Sequence, residues 1–375
     1  MKKTLRIPLV ALLVSGACGL TSCTPPNVPD PQKQAQEQVA ADKVVTGVLG
    51  NATPAPSPEA KDPAGTVLQL PAAFAAAKDV DNAGDVFAVR SGNKLAIGSI
   101  DKLRTNSFTT LDIMSSCGDI TVTGDTFVLP CPVPIEGGAG GGAIYLIDAK
   151  NPNLEDSRRA SMKFTSAAMT STGEVIGGSS EEPDVYVFRG KDSGDSKKIS
   201  TGRKADQMVA SAVSGTRDGV VFIDRAETAI QGVDYQNNRP GAALRMGVGV
   251  GSIAAGEEGL FLASDALGDQ FGVYTDDDIL MLHQTMRTDK SPWAIAWDKK
   301  HNLAWVSSTA DNTITAYSLK SGVPEKRGSF SSIADVHSMS IDADGNIYAL
   351  SSSGAGLQVI PAKDVAAAVD KPAQP

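Results

Sequence analysis

The residues best suited to bind or transform a ligand lie far apart in the sequence. Asp335 and His337 could form an acid–base or metal-binding pair, and Trp293 could offer a stacking surface beside them. An Asp next to a lone His also occurs as an ordinary hydrogen-bonded surface pair, so both interpretations stay open. Three further polar residues are candidates for ligand or partner binding, namely Asp119, Asp206 and Gln207.

Metal and phosphate chemistry find little support in the residue pattern. The chain has only three dispersed histidines, whereas zinc sites use several imidazole or thiolate ligands held close together. The run Asp276-Asp277-Asp278 lacks the interspersed ligands of a calcium loop. The glycine-rich stretch 137–142 lacks the Lys-Ser/Thr pair and the following helix of a phosphate-binding loop. The sequence therefore predicts no catalytic residue, no metal and no cofactor.

The candidate residues must be positioned by short strands, which are clearest between residues 291 and 330. Apolar runs at Trp293–Trp297, Leu303–Ser307 and Thr313–Leu319, with a weaker one at Glu325–Phe330, are separated by Asp, Asn and Gly. Runs this short, rich in Val, Ile, Trp, Thr and Tyr, are typical of strands joined by hairpin turns. The stretch therefore predicts one four-stranded antiparallel sheet.

This unit recurs along the chain. The predicted first strands are Ala72–Lys78, Asp119–Thr123, Ser166–Thr170, Val209–Val213, Gly251–Ala255, Trp293–Trp297 and His337–Ile341. Their spacing of roughly 42 to 47 residues is the period of four-stranded propeller blades. Both faces of each blade pack on neighbours, so strict alternation of apolar and polar residues is not required. The sequence predicts an all-β chain with seven blades.

The two ends of the array predict how the ring closes. The last unit stops at Pro361 after three strands, while Thr66–Leu70 precedes the first unit as an unpaired strand. We expect this N-terminal strand to complete the last blade and so remove the open sheet edges. The loops leading into first strands and those joining second to third strands then gather on one face around a central channel. All six candidate residues are predicted on that face.

Blades six and seven carry a family resemblance. Residues 291–298, 304–307 and 311–314 resemble a YVTN-type blade, and Asp342–Tyr348 is similar to an NHL-type repeat. Together with Leu20-Thr21-Ser22-Cys23 near the N-terminus, which has the form of a lipobox, the chain resembles YVTN/NHL-type seven-bladed β-propeller lipoproteins of Gram-positive, actinobacterial cell envelopes. The resemblance implies a scaffold used for binding and for several chemistries. Metal-dependent lactonase propellers use channel carboxylates, and quinoprotein propellers repeat a Trp in most blades; neither pattern is found on the predicted strands.

The N-terminus predicts export and lipidation. Lys2, Lys3 and Arg6 precede an apolar run that ends in Leu20-Thr21-Ser22-Cys23, the form of a lipoprotein signal peptide over residues 1–22. A transmembrane anchor is the alternative, but the run is shorter than the ~20 residues that cross a bilayer. Residues 23–64, rich in Pro, Ala and Gln, predict a lipidated Cys23 followed by a disordered tether. Residues 65–361 then form the propeller, and residues 362–375 a C-terminal tail.

Two cysteines remain in the folded part, Cys117 and Cys131. They flank a predicted hairpin that turns at Gly124-Asp125, so they should face each other and form a disulfide in an oxidising compartment. A redox-active or metal-binding pair is the alternative. The formal charge of −9 becomes −12 once Lys2, Lys3 and Arg6 leave with the signal. An acidic chain without a basic stripe argues against nucleic acid as a partner.

These observations predict a monomeric, lipid-anchored binding or scaffolding module on the extracytoplasmic face of the cell membrane. Its membrane contact would be the lipid on Cys23, and its partner an envelope protein or a cell-wall component. A lactonase- or hydrolase-like propeller enzyme acting on a small envelope metabolite is one alternative, and a metal carrier is a second. A cluster of channel-facing carboxylates or imidazoles would favour the enzyme.

Overall fold

The computed structural model describes residues 49–134, 140–190 and 195–370. The predicted signal peptide, Cys23 and the tether up to residue 48 lie outside this part. The described chain forms seven four-stranded antiparallel sheets, which confirms the predicted fold class. No helix among the described residues is both long and apolar enough to cross a membrane.

The first strands of the sheets contact one another in ring order and surround the centre of the molecule. These inner strands are β2 (Asp79–Ala83), β6 (Thr121–Thr123), β10 (Ser166–Met169), β14 (Gln207–Ser211), β18 (Val250–Ala255), β22 (Pro292–Asp298) and β26 (Val336–Ile341). Second strands are β3 (Val86–Ser91), β7 (Thr126–Pro134), β11 (Val175–Gly178), β15 (Gly219–Asp224), β19 (Leu260–Asp265), β23 (Leu303–Ser308) and β27 (Ile347–Ser351).

The third and fourth strands complete each sheet toward the outside. Third strands are β4 (Lys94–Gly98), β8 (Gly140–Asp148), β12 (Asp184–Phe188), β16 (Ala229–Asp234), β20 (Gln270–Thr275), β24 (Thr313–Ser318) and β28 (Leu357–Ile360). Outer strands are β5 (Thr109–Asp112), β9 (Ser157–Ala160), β13 (Ser196–Ser200), β17 (Arg239–Arg245), β21 (Met281–Arg287), β25 (Glu325–Ser331) and β1 (Thr66–Leu68). We number the blades 1 to 7 by their inner strands in chain order.

Ring closure follows the prediction. β1 pairs antiparallel with β28 through Thr66↔Val359, Val67↔Gln358 and Leu68↔Leu357, so the N-terminal strand completes blade 7. Beyond β28, helix α2 (Ala362–Val369) buries Val365 in the apolar cluster between blades 6 and 7. A second helix, α1 (Ile100–Thr105), joins the third and fourth strands of blade 1.

Apolar packing occurs between blades. Seven clusters of buried apolar residues lie in the described part, one at each contact between neighbouring blades. Between blades 1 and 2, for example, Leu95 and Ile97 pack with Phe127 and Leu129. The same contact contains the predicted Cys117–Cys131 disulfide, which the structure confirms.

Blade 1 begins later than the sequence predicted. Ala72–Phe74 forms a 3₁₀ turn instead of a strand, with the amide of Phe74 donating to the carbonyl of Pro71. Phe74 and Ala77 are buried against blade 7, and alanine-rich sequence has little preference for strands. The inner strand is therefore β2, which starts at Asp79.

The predicted tether also ends earlier than residue 64. Residues 49–64, named here the docked segment, run along the propeller and hydrogen bond to it at several points. Ala52 is 5% exposed, and Gly50 has a φ of 79° at a place where a side chain would overlap the carbonyl of Ala226. A solvated segment would show neither feature.

Candidate functional site

The inner strands enclose a central cavity of 380 Å³, named here the channel cavity. Its upper end opens on the mouth face, which carries the loops leading into inner strands and those joining second to third strands. Most of the cavity surface is polar, although apolar residues also line it, among them Val209, Ile253, Ile295, Met339 and Ile341. The volume is at the lower end of the range of small-molecule pockets, about 300–1,000 Å³.

Four of the six candidate residues line this cavity. They are Asp119 of blade 2, Gln207 of blade 4, Trp293 of blade 6 and His337 of blade 7. Residues more than 200 positions apart in the sequence thus meet because each stands at the start of an inner strand. The repeat is what brings them together.

The carboxylates of the other two candidates, Asp206 and Asp335, accept hydrogen bonds from backbone amides at the rim. Asp206 accepts a hydrogen bond from the amide of Arg225 at 2.7 Å, and Asp335 accepts one from the amide of Ser57 at 2.9 Å. Burial raises the pKa of Asp206. Burial also acts on Asp335, but hydrogen bonds from Ser353 and Ser57 outweigh it and hold its pKa below the usual value. Both carboxylates are therefore occupied by the propeller's own groups.

Asp335 and His337 are neighbours without a hydrogen bond between their side chains in the described structure. Burial lowers the pKa of His337, although the charge of Asp335 opposes the change. The Nε2 atom of His337 is buried and has no hydrogen-bond partner among the described residues. Burial thus favours the neutral form of the imidazole.

Trp293 lies beside an imidazole ring and a guanidinium group at the mouth. Its ring centroid lies 5.9 Å from that of His337, and the guanidinium carbon of Arg225 lies 5.8 Å from its ring centroid. Arg225 is fixed in turn, since its Nε donates to the carbonyl of Gly251 at 2.7 Å. A cation already occupies one side of the indole that the sequence offered as a stacking surface.

Two carboxylates that line the cavity were not among the residues predicted from the sequence. Asp79 and Asp81 lie on β2, where the predicted start of blade 1 had excluded them. The side chain of Asp79 accepts from the amide of Ile120 and from the hydroxyl of Ser338, and Asp119 pairs with Arg90 at 2.9 Å. The spacing Asp-Val-Asp-Asn would have revealed these residues had blade 1 been aligned at Asp79.

Asp81 differs from Asp119 in having no basic partner among the described residues. Its Oδ1 accepts from the amide of Asn82 at 2.8 Å and lies 3.5 Å from the hydroxyl of Ser340. Burial raises its pKa to about 7, and burial together with the nearby charge of Asp119 raises the pKa of Asp79 to about 6. Two carboxyl groups of the cavity, those of Asp81 and Asp79, thus have pKa values raised toward neutral pH.

The docked segment covers part of the mouth face. Its amides at Gly50 and Asn51 donate to the carbonyls of Val248 and Arg225, and that of Ala55 donates to the hydroxyl of Ser291. Further hydrogen bonds join Ser57 to Thr309 and Asp335, and Pro58 to Asn312. These partners belong to blades 4 to 7. The described loops of blades 1 to 3 make no hydrogen bond with the segment.

The residues that the structure describes contain no group of three or more His, Cys, Asp or Glu side chains arranged to hold a metal ion.

Comparison with known proteins finds similar structures, although it finds no similar sequence. The sequence matches no family model and no curated protein. A chain of the mitotic checkpoint complex is similar over 93% of this chain and 99% of its own, with a TM-score of 0.61 and 11% identity. Streptogramin B lyase is similar over 78% of this chain and 96% of its own, with a TM-score of 0.57 and 10% identity.

A third similar structure is the β-propeller domain of Cps50 (Swd1) from Myceliophteria thermophila. It covers 79% of this chain and 98% of its own, with a TM-score of 0.59 and 8% identity. Identities this low show shared architecture alone. The chain is a seven-bladed β-propeller.

Proposed function

We propose that the protein is a non-catalytic binding or scaffolding module of the cell envelope, anchored through a lipidated Cys23 and engaging a partner at the mouth face. The observation that supports this most is the convergence of Asp119, Gln207, Trp293 and His337 from four blades on one cavity mouth. Surfaces assembled from loops on a rigid scaffold are where binding residues concentrate. One structural neighbour, named as the mitotic checkpoint complex, is itself a multiprotein assembly.

The partner would use the rim on the side of blades 1 to 3. The docked segment is hydrogen bonded to blades 4 to 7, and it makes no hydrogen bond with the described loop residues of blades 1 to 3. Glu181 lies there, between β11 and β12, with 58% of its side chain exposed. An envelope protein or a cell-wall component is the class of partner proposed.

Photocrosslinking in intact cells tests the proposal. A photoreactive residue at Glu181 should crosslink to one defined species, whereas the same residue at Asp277 should not. Asp277 is exposed on the opposite face, between β20 and β21, and is the matched control. Equal capture from both positions would move the partner site away from the mouth.

Anchoring has its own experiment. Cys23→Ala should abolish acyl labelling and either release the protein from membranes or leave it unprocessed, because the thiol is where the acyl groups attach. Labelling that survives the substitution would contradict the lipoprotein assignment.

An enzyme acting on a small metabolite is the second candidate, favoured by Asp79, Asp81 and Asp119 in the channel cavity. A carboxyl whose pKa is raised to about 7 suits general acid catalysis. Asp79 and Asp119 are already engaged by Ser338 and Arg90, which leaves Asp81 as the acid. Hydrolysis of a lactone panel that disappears in Asp81→Asn would favour this function over the first.

A further inference from the structure

The docked segment contains a stretch that the propeller holds and a stretch that it does not hold. Hydrogen bonds join residues 50–58 to loops of the mouth face. Residues 59–63 are mostly exposed and make no hydrogen bond with the described propeller. The amide of Ala64 is bonded again, to the carbonyl of Ser331, just before β1. Residues 50–58 can therefore leave the mouth face while β1 stays paired with β28.

Prolines alternate with hydrogen-bonding residues in the held stretch. Its sequence Pro54-Ala55-Pro56-Ser57-Pro58 has proline at every second position. The amide of Ala55 donates to the hydroxyl of Ser291, and that of Ser57 donates to the carboxylate of Asp335, each at 2.9 Å. Proline has no N–H and a fixed φ, so here it occurs only where no donor is needed. A chain that alternates in this way fits the surface without losing a hydrogen bond.

Three side chains of the propeller hold residues 55–58, and we name them the clamp. They are Ser291, Asn312 and Asp335, and their φ angles of 55°, 49° and 52° are all left-handed. This conformation is unfavourable for residues other than glycine, and it persists where the surrounding structure requires it, often at sites that grip a ligand. Its presence at every side chain of the clamp indicates a surface shaped to bind a peptide chain.

The docked segment leaves one acceptor of the clamp unused. Asn312 is 8% exposed, and its Nδ2 donates to the carbonyl of Pro58 at 2.9 Å. Its Oδ1 is buried and has no hydrogen-bond partner among the described residues, and Pro58 has no N–H to offer it. Buried polar atoms that lack a partner are uncommon. The chain's own segment therefore satisfies the clamp incompletely, as expected of an occupant that another peptide can replace.

We propose that the clamp recognises a proline-alternating segment of a partner protein, and that residues 50–58 occupy the site until that segment displaces them. The partner segment would offer amides to Ser291 and Asp335 and a serine hydroxyl to the carbonyl of Thr309, which Ser57 now contacts at 2.7 Å. Proline already restricts such a segment before it binds, so less conformational entropy is lost on binding.

The residues before the prolines restrict the partner further. A side chain in place of Gly50 would overlap the carbonyl oxygen of Ala226, and Ala52 is buried. The partner segment therefore needs glycine and then a small residue at the equivalent positions ahead of its first proline. Glycine, a small residue and alternating prolines together define the chemistry of the peptide.

This inference goes beyond the partner at the rim and is independent of it. The clamp lies on blades 6 and 7, whereas crosslinking from Glu181 reports on the side of blades 1 to 3. Either proposal can fail while the other stands.

Fluorescence anisotropy of a labelled peptide with the sequence of residues 49–60 provides the test. The purified full chain is titrated as wild type and as Ser57→Ala, which weakens docking of the chain's own segment. Because the apparent affinity is reduced by the fraction of chains whose site is occupied, the peptide should bind Ser57→Ala about tenfold more tightly than the wild type, or better. Ser321→Ala, in an exposed turn on the opposite face, should match the wild type.

Two further measurements identify the clamp as the site. Adding Asp335→Ala to Ser57→Ala removes one acceptor, and a peptide that itself carries Ser57→Ala lacks the hydroxyl, so each change should weaken binding about tenfold or more. A thermal melt shows that each variant is folded. Equal binding to Ser57→Ala and the wild type, no binding to Ser57→Ala at millimolar peptide, or no effect of either change would overturn the proposal.

Sedimentation of Ser57→Ala tests the other possible occupant. If the clamp takes a separate partner, the variant stays monomeric at micromolar concentration. A dimer would show that the docked segment of a second copy fills the clamp, and it would overturn the assignment to a partner protein.

Discussion

Two aspartates at neighbouring inner strands, Asp119 and Asp81, differ in the groups that surround their carboxylates. Asp119 is paired with Arg90, whereas Asp81 has one backbone amide and a distant hydroxyl. A buried carboxylate without a cation disfavours its charged form, so its pKa rises. Such a group weakens the folded state whenever it is ionised, which makes Asp81 costly to retain for folding alone.

The stability of the protein should therefore depend on the charge of Asp81. Its pKa is about 7 in the folded chain and 3.8 as a free side chain. Between these values the folded state holds a proton that the unfolded state has released, so the contribution of Asp81 to the free energy of unfolding falls as pH rises from about 4 to about 7. A salt-bridged carboxylate, whose pKa is lowered on folding, would show the opposite dependence of stability on pH.

Asp81→Asn should remove this dependence. The variant should gain stability relative to the wild type as pH rises, and its advantage at pH 8 should exceed that at pH 5 by on the order of 1–3 kcal/mol. Urea unfolding at the two pH values measures the difference. The same stability difference at pH 5 and pH 8 would show that Asp81 does not titrate as described.

Among the elements, the docked segment joins chain regions that are distant in sequence. Ser57 is its most connected residue, because its hydroxyl donates to the carbonyl of Thr309 and accepts from the amide of Asp335, each at 2.7 Å. Its amide donates in turn to the Asp335 carboxylate. The segment is proline-rich and forms neither helix nor strand, and hydrogen bonds to the propeller occur along its length.

Ser57→Ala should loosen the docked segment without unfolding the propeller. Losing the hydroxyl removes two hydrogen bonds, each of about 1 kcal/mol, so amides at residues 51–57 should exchange hydrogen about tenfold faster or more. Hydrogen exchange followed by mass spectrometry measures this. Ser321→Ala, in an exposed turn on the opposite face, is the control and should leave these rates unchanged. Unaltered exchange in Ser57→Ala would mean that other contacts hold the segment.

The strands that the sequence predicted well are those with local signals. Blade 6 combines β-branched and aromatic runs with Asp and Asn turns, and its strands lie close to the predicted ranges. The first strand of blade 1 was predicted too early because Ala72–Lys78 fits the repeat spacing. The observed strand, Asp79–Ala83, is polar where it lines the cavity. Residues 49–64 were misjudged because their partners lie far along the chain, and composition carries no trace of such contacts.

At the scale of the whole molecule, the ring is held closed by β1. Its pairing with β28 covers the edge of blade 7, and Val67 packs against the cluster between blades 6 and 7. Each neighbouring pair of blades shares one apolar cluster, so opening one contact leaves two blade faces exposed to water. Closure therefore stabilises the entire array.

Deleting Gly65–Leu70 should cost several kcal/mol of stability and expose the edge of β28 to other chains. We expect a much lower melting temperature together with aggregation, both measurable by thermal denaturation with light scattering. Replacing the exposed residues Glu59 and Lys61 by alanine is the control and should change little. A deletion variant that melts like the wild type would contradict this mechanism of closure.

The pairing of β1 with β28 also sets a condition on biosynthesis. The ribosome makes β1 before any blade exists and makes β28 after all the others, so the first strand must wait, unpaired, for the last. A prematurely terminated product would contain most of the blades yet leave both a lone strand and a bare sheet edge. Incomplete products should thus be recognised by proteases and chaperones, whereas finished ones hide these signals.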